Sequence, residues 1–180
     1  RQLAGSAVNL QRHSSRITVE DCVASQPVSE VGGWRRQVFL TRGQQTLFQR
    51  CVSQQGIHDF AAGYCAAGPN AFVQCEGEQA LGFSGSIGSW APGLLFDIVN
   101  IDGPNADNRN SAHGCWGTLT GNGNWTSSND HVVPRSLFYH QLKQRLGTDA
   151  PQAWLLPLSN EATSSPTVEQ ALAMAHESLT

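Results

Sequence analysis

Short apolar segments with interleaved polar positions recur along the N-terminal half of the chain, bounded by Gly, Pro, Asn and Ser. Four six-residue windows carry the pattern: Ile17–Cys22 (ITVEDC), Thr46–Cys51 (TLFQRC), Asn70–Cys75 (NAFVQC) and Gly93–Ile98 (GLLFDI). Their third position is Val19, Phe48, Phe72 or Leu95, and their sixth is Cys22, Cys51, Cys75 or Ile98. The fifth is polar each time: Asp21, Arg50, Gln74 and Asp97. A second short segment precedes each window: AVNL at Ala7–Leu10, VFLT at Val38–Thr41, HDFAA at His58–Ala62 and FSGSI at Phe83–Ile87. The sixth positions follow one another at 29, 24 and 23 residues.

Two short strands per repeat at such a period signal a solenoid, and the helix-length segments of helical repeats are missing from this region. The predicted architecture is all-β: a right-handed parallel β-helix of about four to five coils over residues 1–130, with a helical segment over 131–180. Equivalent residues of successive coils then stack at roughly 4.8 Å. Positions three and six face the interior, where small Cys suits a tight stack. Position five faces outward. Asp21 and Arg50 become neighbours there, a surface ion pair worth at most about 1 kcal/mol. Positions three and six differ in strand parity, so each window has to bend between them.

Beyond the fourth window the pattern degrades. Gly103–Asn110 reads as a polar turn, and His113–Thr120 (HGCWGTLT) as one more strand pair. Pro134–Leu146 then puts Leu137, Phe138, Leu142 and Leu146 on one helical face, with Pro134 in the first turn and Gly147 as the stop. A second helix is expected from Ser165-Pro166 through Val168, Leu172, Ala175 and Leu179. The two helices are expected to form a cap or docking arm. At the other end the chain opens on RQLAGSAVNL, already inside a coil. An uncovered first coil exposes core and strand edges, so the chain reads as a piece of a longer protein. Gly103 runs straight into Pro104 and a polar segment with no strand signal.

A chain of 180 residues suffices for one domain with a core. Charged residues make up only 14%, with 18 glycines, which suits a β-solenoid better than an average globular domain. The net charge of −3, with Lys143 the sole lysine, argues against nucleic acid or an anionic membrane as partner. No apolar run approaches the roughly 18 residues of a membrane span. The five cysteines, Cys22, Cys51, Cys65, Cys75 and Cys115, show no CxxC spacing. They read as buried thiols, with Cys65 to Cys115 the pairing open to a disulfide.

Several residues are candidates for chemistry. His58 and Asp59 place an imidazole and a carboxylate side by side on a strand, an acid–base combination. Strand neighbours point to opposite faces, however, which favours a packed His and a turn-capping Asp. Asp97 and Asp102 are about 16 Å apart along an extended strand, beyond the roughly 5 to 9.5 Å of a glycosidase pair. Asp97 combines more easily with Arg50 or Asp21 on a neighbouring ladder, where the alternative is a solvated row of charges. Asp102, Asp107, Arg109 and His113 form the densest polar cluster, and Ca²⁺ is the cofactor such oxygens would suit. The usual calcium-loop signatures are missing. Trp34, Trp90, Trp116 and Trp125 lie near turns or strand ends, where exposed rings stack on sugars and buried rings are core. Asn124-Trp125-Thr126 matches an N-glycosylation acceptor.

The repeat resembles the pectin-lyase-like right-handed β-helix superfamily. GPNAFVQC at Gly68–Cys75, SGSIGSWAPGLLFD at Ser84–Asp97 and NDHVVPRSLFYHQLKQRLG at Asn129–Gly147 are similar to a group of bacterial extracellular β-helix proteins. The resemblance covers roughly residues 1–147 and is specific for fold rather than activity. It implies an extracellular or cell-surface, carbohydrate-active protein, a polysaccharide lyase or glycoside hydrolase, with a polysaccharide as partner. Lyases of this architecture neutralise a uronate and abstract a proton with Lys or Arg. Lys143 lies on a helix here, which leaves the base to Arg, His or Tyr. The catalytic candidates are His58, Asp59, Asp97 and Arg50. The binding candidates are Trp90, Trp116, Asp102, Arg109 and His113. The alternative class is a non-catalytic solenoid. It would be a structural or adhesive element of a surface layer, filament or appendage, assembling with its own copies through coil ends and C-terminal helices, or a sugar-binding module.

Overall fold

The structure is a computed structural model and describes residues 5–28, 37–88, 90–102, 115–116, 119–120 and 136–147. Each circuit of the chain lays down three strands, one in each of three sheets. The first circuit is Val8–Leu10 (β1), Thr18–Glu20 (β2) and Val23–Ala24 (β3). The second is Gln37–Thr41 (β4), Thr46–Gln49 (β5) and Val52–Gln54 (β6). The third is His58–Gly63 (β7), Asn70–Val73 (β8) and Glu76–Glu78 (β9). The fourth is Gly85–Ile87 (β10), Leu94–Asp97 (β11) and Val99–Asp102 (β12). Cys115–Trp116 (β13) and Leu119–Thr120 (β14) continue the second and third sheets, as the expected strand pair within His113–Thr120 requires.

The sheets run β1-β4-β7-β10, β2-β5-β8-β11-β13 and β3-β6-β9-β12-β14, and the pairings are parallel. The described chain is therefore an all-β, parallel-stranded fold with one short helix. Register is fixed by large apolar residues that fall on one another. Phe48 pairs with Phe72 and Phe72 with Phe96. Their rings stack at 4.8 and 5.1 Å between centroids. Phe39 and Phe60 form a second column on the first sheet, 5.6 Å apart, and Phe60 leans on Phe72 across the interior. These five rings are fully buried and dominate the core.

The bend between the second and third sheets is a single residue in the left-handed region. Asp21, Arg50, Gln74 and Ile98 occupy this corner with φ of 54°, 52°, 50° and 57°. That kink lets positions three and six of the first three windows both face inward, as the parity argument demands. The backbone ladder continues through it: Arg50 N–H donates to Val73 at 3.0 Å and Gln74 N–H to Asp97 at 2.9 Å, so the bend leaves these backbone groups paired. Cys22, Cys51 and Cys75 then stack on successive circuits, since Val23, Val52 and Glu76 pair in turn.

Three expectations need correction. The fourth window is displaced by one residue: Phe96, not Leu95, continues the Phe48–Phe72 column, and Val99, not Ile98, continues the cysteine column. Position five is a buried corner rather than an outward face, with Gln74 and Ile98 almost wholly covered. Side chains there lie between those of neighbouring circuits and lose their water. Cys65 is exposed rather than buried, and the side chain of Cys115 lies outside the described residues.

The helix is Leu137–Leu146 (α1), and it begins later than Pro134 because Ser136 is its N-cap. The Ser136 hydroxyl accepts from Tyr139 N–H at 2.9 Å, the usual way to satisfy a first-turn donor. Gly147 ends the helix at φ 97°, and its N–H donates to the Lys143 carbonyl. The expected apolar face is only partly used, since Leu146 is 60% exposed. The second expected helix and the Gly103-Pro104 junction lie outside the described residues.

Candidate functional site

A groove of about 530 Å³ lies between the outer face of the second sheet and α1. Its floor is built by strand alternation. Phe48, Phe72 and Phe96 point inward, so their neighbours Leu47, Ala71 and Leu95 point outward and form a partly exposed apolar row. Phe138, Gln141 and Arg145 of α1 form the opposite wall, and Gln45 and Pro69 close one end. The volume falls in the range of small-ligand sites, roughly 300 to 1,000 Å³. Trp90, 81% exposed, sits three residues before Gly93, which lines the same groove.

Asp97 sets the position of α1. Its Oδ2 accepts from Phe138 N–H at 2.6 Å and from the Ser136 hydroxyl at 3.2 Å. A carboxylate at a helix N-terminus satisfies an orphan donor and opposes the helix dipole. Asp97 is 2% exposed. Its place at the end of β11 thus docks the helix.

The remaining catalytic candidates are likewise engaged in structure. Arg50 is 8% exposed and holds Asp21 with two parallel bonds, Nε to Oδ1 at 2.6 Å and Nη2 to Oδ2 at 2.7 Å, with Glu20 at 3.3 Å from Nη2. The bond to Asp21 raises the Arg50 pKa, with burial opposing it. The predicted Asp21–Arg50 neighbours are therefore found, but as a largely covered bidentate pair rather than a solvated one. Asp97 does not join them, because its row runs through Val73 and Gln49. His58 and Asp59 diverge as strand neighbours should. Asp59 is fully buried and accepts a short hydrogen bond from the Ser53 hydroxyl. The His58 Nδ1 lies 2.7 Å from the Phe83 carbonyl, and its ring meets the Phe83 ring edge-on at 4.6 Å. Burial lowers the His58 pKa, against the pull of that carbonyl.

Of the binding candidates, Trp90 is exposed. The side chains of Trp116 and Asp102, and residues Arg109 and His113, lie outside the described residues. Among the described residues no group of three or more His, Cys, Asp or Glu is placed to hold a metal ion. The outward row Leu47, Ala71, Leu95 escaped the sequence reading. Its signal was an apolar residue next to each inward aromatic, where simple alternation calls for a polar one.

A family model for a domain of unknown function (DUF6298) matches residues 123–180, a span that contains α1. No curated protein and no solved structure matches the chain. No helix among the described residues is long and apolar enough to cross a membrane.

Proposed function

We propose that the chain is a right-handed parallel β-helix that binds a glycan along the groove between its second sheet and α1, without catalysis by the described residues. The observation that carries this reading is Trp90. A large aromatic ring that is 81% exposed, three residues along the chain from Gly93 of an apolar-floored groove, is suited to stacking on a sugar ring. The Leu47, Ala71 and Leu95 row offers apolar contact to sugar C–H faces, while Gln45, Gln141 and Arg145 supply hydrogen-bonding groups for hydroxyls. The parallel ladder suits a repetitive ligand, because it repeats the same outward row from strand to strand. Binding is favoured over a lyase or hydrolase role because His58, Asp59, Asp97 and Arg50 are each committed to structural partners. An extracellular or cell-surface setting, where polysaccharide is met, goes with this reading.

Affinity electrophoresis of the full chain through gels containing plant, algal and bacterial polysaccharides tests it. At least one polysaccharide should retard the protein, and Trp90→Ala should weaken that retardation about tenfold, a loss of about 1.4 kcal/mol. The exposed side chain makes little contact, so the melting temperature should not move. Free migration in every gel, or full retardation of Trp90→Ala, would overturn the proposal.

A further inference from the structure

The turns that lead from the first sheet to the second stack on one another and enclose a separate cleft of about 240 Å³. The β1–β2 turn contributes Arg12 and His13, the β4–β5 turn Arg42 and Gln44, and the β7–β8 turn Cys65. The turns are tied together by their backbones: Gln44 N–H donates to the Ser14 carbonyl at 3.0 Å, and Arg16 N–H to the Gln44 carbonyl at 3.3 Å. Gly43 allows this approach, because a Cβ there would meet the Ser14 carbonyl oxygen at 2.5 Å. The cleft is thus preformed.

Its electrostatics are one-sided. Arg12 donates from Nη2 to the Tyr64 carbonyl at 3.3 Å, and the Arg42 guanidinium lies over the Tyr64 ring, 4.7 Å from its centroid. Tyr64 is itself fixed, its hydroxyl accepting from Gln37 Nε2 at 3.0 Å. Among the described residues no carboxylate lines the cleft, and the ion pairs are those of Arg50 with Asp21 and Glu20. The Arg42 Nε is buried and has no hydrogen-bond partner among the described residues. An anion in the cleft would supply countercharge to the guanidinium groups of Arg12 and Arg42.

We propose that this cleft is an oxoanion site that takes one sulfate or phosphate group, carried as an ester on a ligand or free in solution. Donors reach it from successive circuits rather than from one side. A tetrahedral oxoanion presents acceptors in several directions, whereas a carboxylate offers two oxygens in one plane and is satisfied by a single guanidinium. The site stands on residues that the glycan groove does not use, so it holds or fails independently of that reading.

Cys65 provides a reporter within the cleft. The full chain is alkylated with iodoacetate, an anion, or with neutral iodoacetamide, and the Cys65 peptide is quantified by mass spectrometry. The ratio of the two rates, referred to the same ratio for glutathione, should be raised about threefold by the local positive field. Inorganic sulfate or phosphate should lower the iodoacetate rate more than chloride at equal ionic strength, and Arg12→Gln, an exposed change that spares the fold, should lower the ratio. A ratio equal to that of glutathione, or sulfate and phosphate no more effective than chloride, would overturn the site. Stronger competition by a sugar sulfate or sugar phosphate than by the inorganic ions would support the site and assign it to an ester; the reverse would support it and assign it to the free ion.

Discussion

The Asp97 carboxylate, at the end of β11, accepts the backbone N–H of Phe138 at 2.6 Å and so holds the first turn of α1 against the second sheet. Asp97→Ala removes that acceptor and the partner of Ser136 together. The expected cost is about 1 to 3 kcal/mol, with a smaller loss for Asp97→Asn, which keeps one oxygen. Hydrogen exchange should show α1 losing protection well before the sheets do. Unchanged protection of α1 in Asp97→Ala would mean that something else docks the helix.

Arg50 and Asp21 tie the first two circuits at their corner through two parallel bonds. Breaking the pair by Asp21→Asn leaves a mostly covered guanidinium with a weaker acceptor. Urea unfolding should show a loss of about 1.5 to 3 kcal/mol, the range for hydrogen bonds to charged groups. A loss near zero would class the pair with solvated surface bridges, whatever its geometry.

Phe72 is the middle ring of the Phe48–Phe72–Phe96 column and also meets Phe60. Phe72→Ala should cost about 3 to 5 kcal/mol through lost burial and the cavity it leaves. Phe72→Leu should cost markedly less. The comparison of the two by chemical denaturation separates a packing role from a replaceable one.

The thiol column makes a contrasting case. The neighbouring Cys51 thiol, followed by burial, pushes Cys22 far above the ordinary thiol range. Cys51 is held up by Cys75 and by burial, against an opposing contribution from Cys22 that is the largest single one. Native protein at pH 8 should therefore resist a thiol reagent at Cys22 and Cys51 until it unfolds. Because Val99 already occupies the same column, Cys51→Val should cost less than about 1.5 kcal/mol. Rapid labelling of Cys51 in the native state would contradict the packing.

His58 gives the fold a mild acid sensitivity. Its folded pKa lies below the ordinary 6.5, because burial disfavours the imidazolium. The unfolded chain then binds more protons in the window below 6.5, so stability falls as pH drops through that value and levels off below the folded pKa. His58→Gln should flatten this part of the stability–pH curve. A folded His58 titrating at or above 6.5 by NMR would reverse the sign.

Much of this architecture is written in side-chain size and spacing. Phe48 and Phe72, like Cys51 and Cys75, stand at matching places in windows of similar shape, and a parallel stack is the arrangement that brings them together. The fourth window hid its register because Leu94, Leu95 and Phe96 are all apolar, so alternation gives no sign of which one faces inward. The true spacing of 24 residues, seen between Thr46 and Asn70 and between Glu76 and Asn100, puts Phe96 there. The groove was illegible for a different reason. One wall comes from β5, β8 and β11 and the other from α1, and the bond that unites them, Asp97 to Phe138, spans 41 residues with no local signal. The partners of the ionic residues were also illegible, because composition does not name them: Arg50 holds Asp21, Asp59 accepts from Ser53, and Asp97 accepts from Phe138.

In the second and third sheets, from the second circuit to the fourth, the 24-residue spacing also acts as a reading frame. Strands pair only with their counterparts in adjacent circuits, so duplicating or deleting one whole unit leaves every later row inside or outside as before. A change one residue longer or shorter, unless a turn absorbs it, reverses the facing of everything in the strand it reaches. Length in such a chain is therefore inherited in whole units, while the turns are where single insertions accumulate.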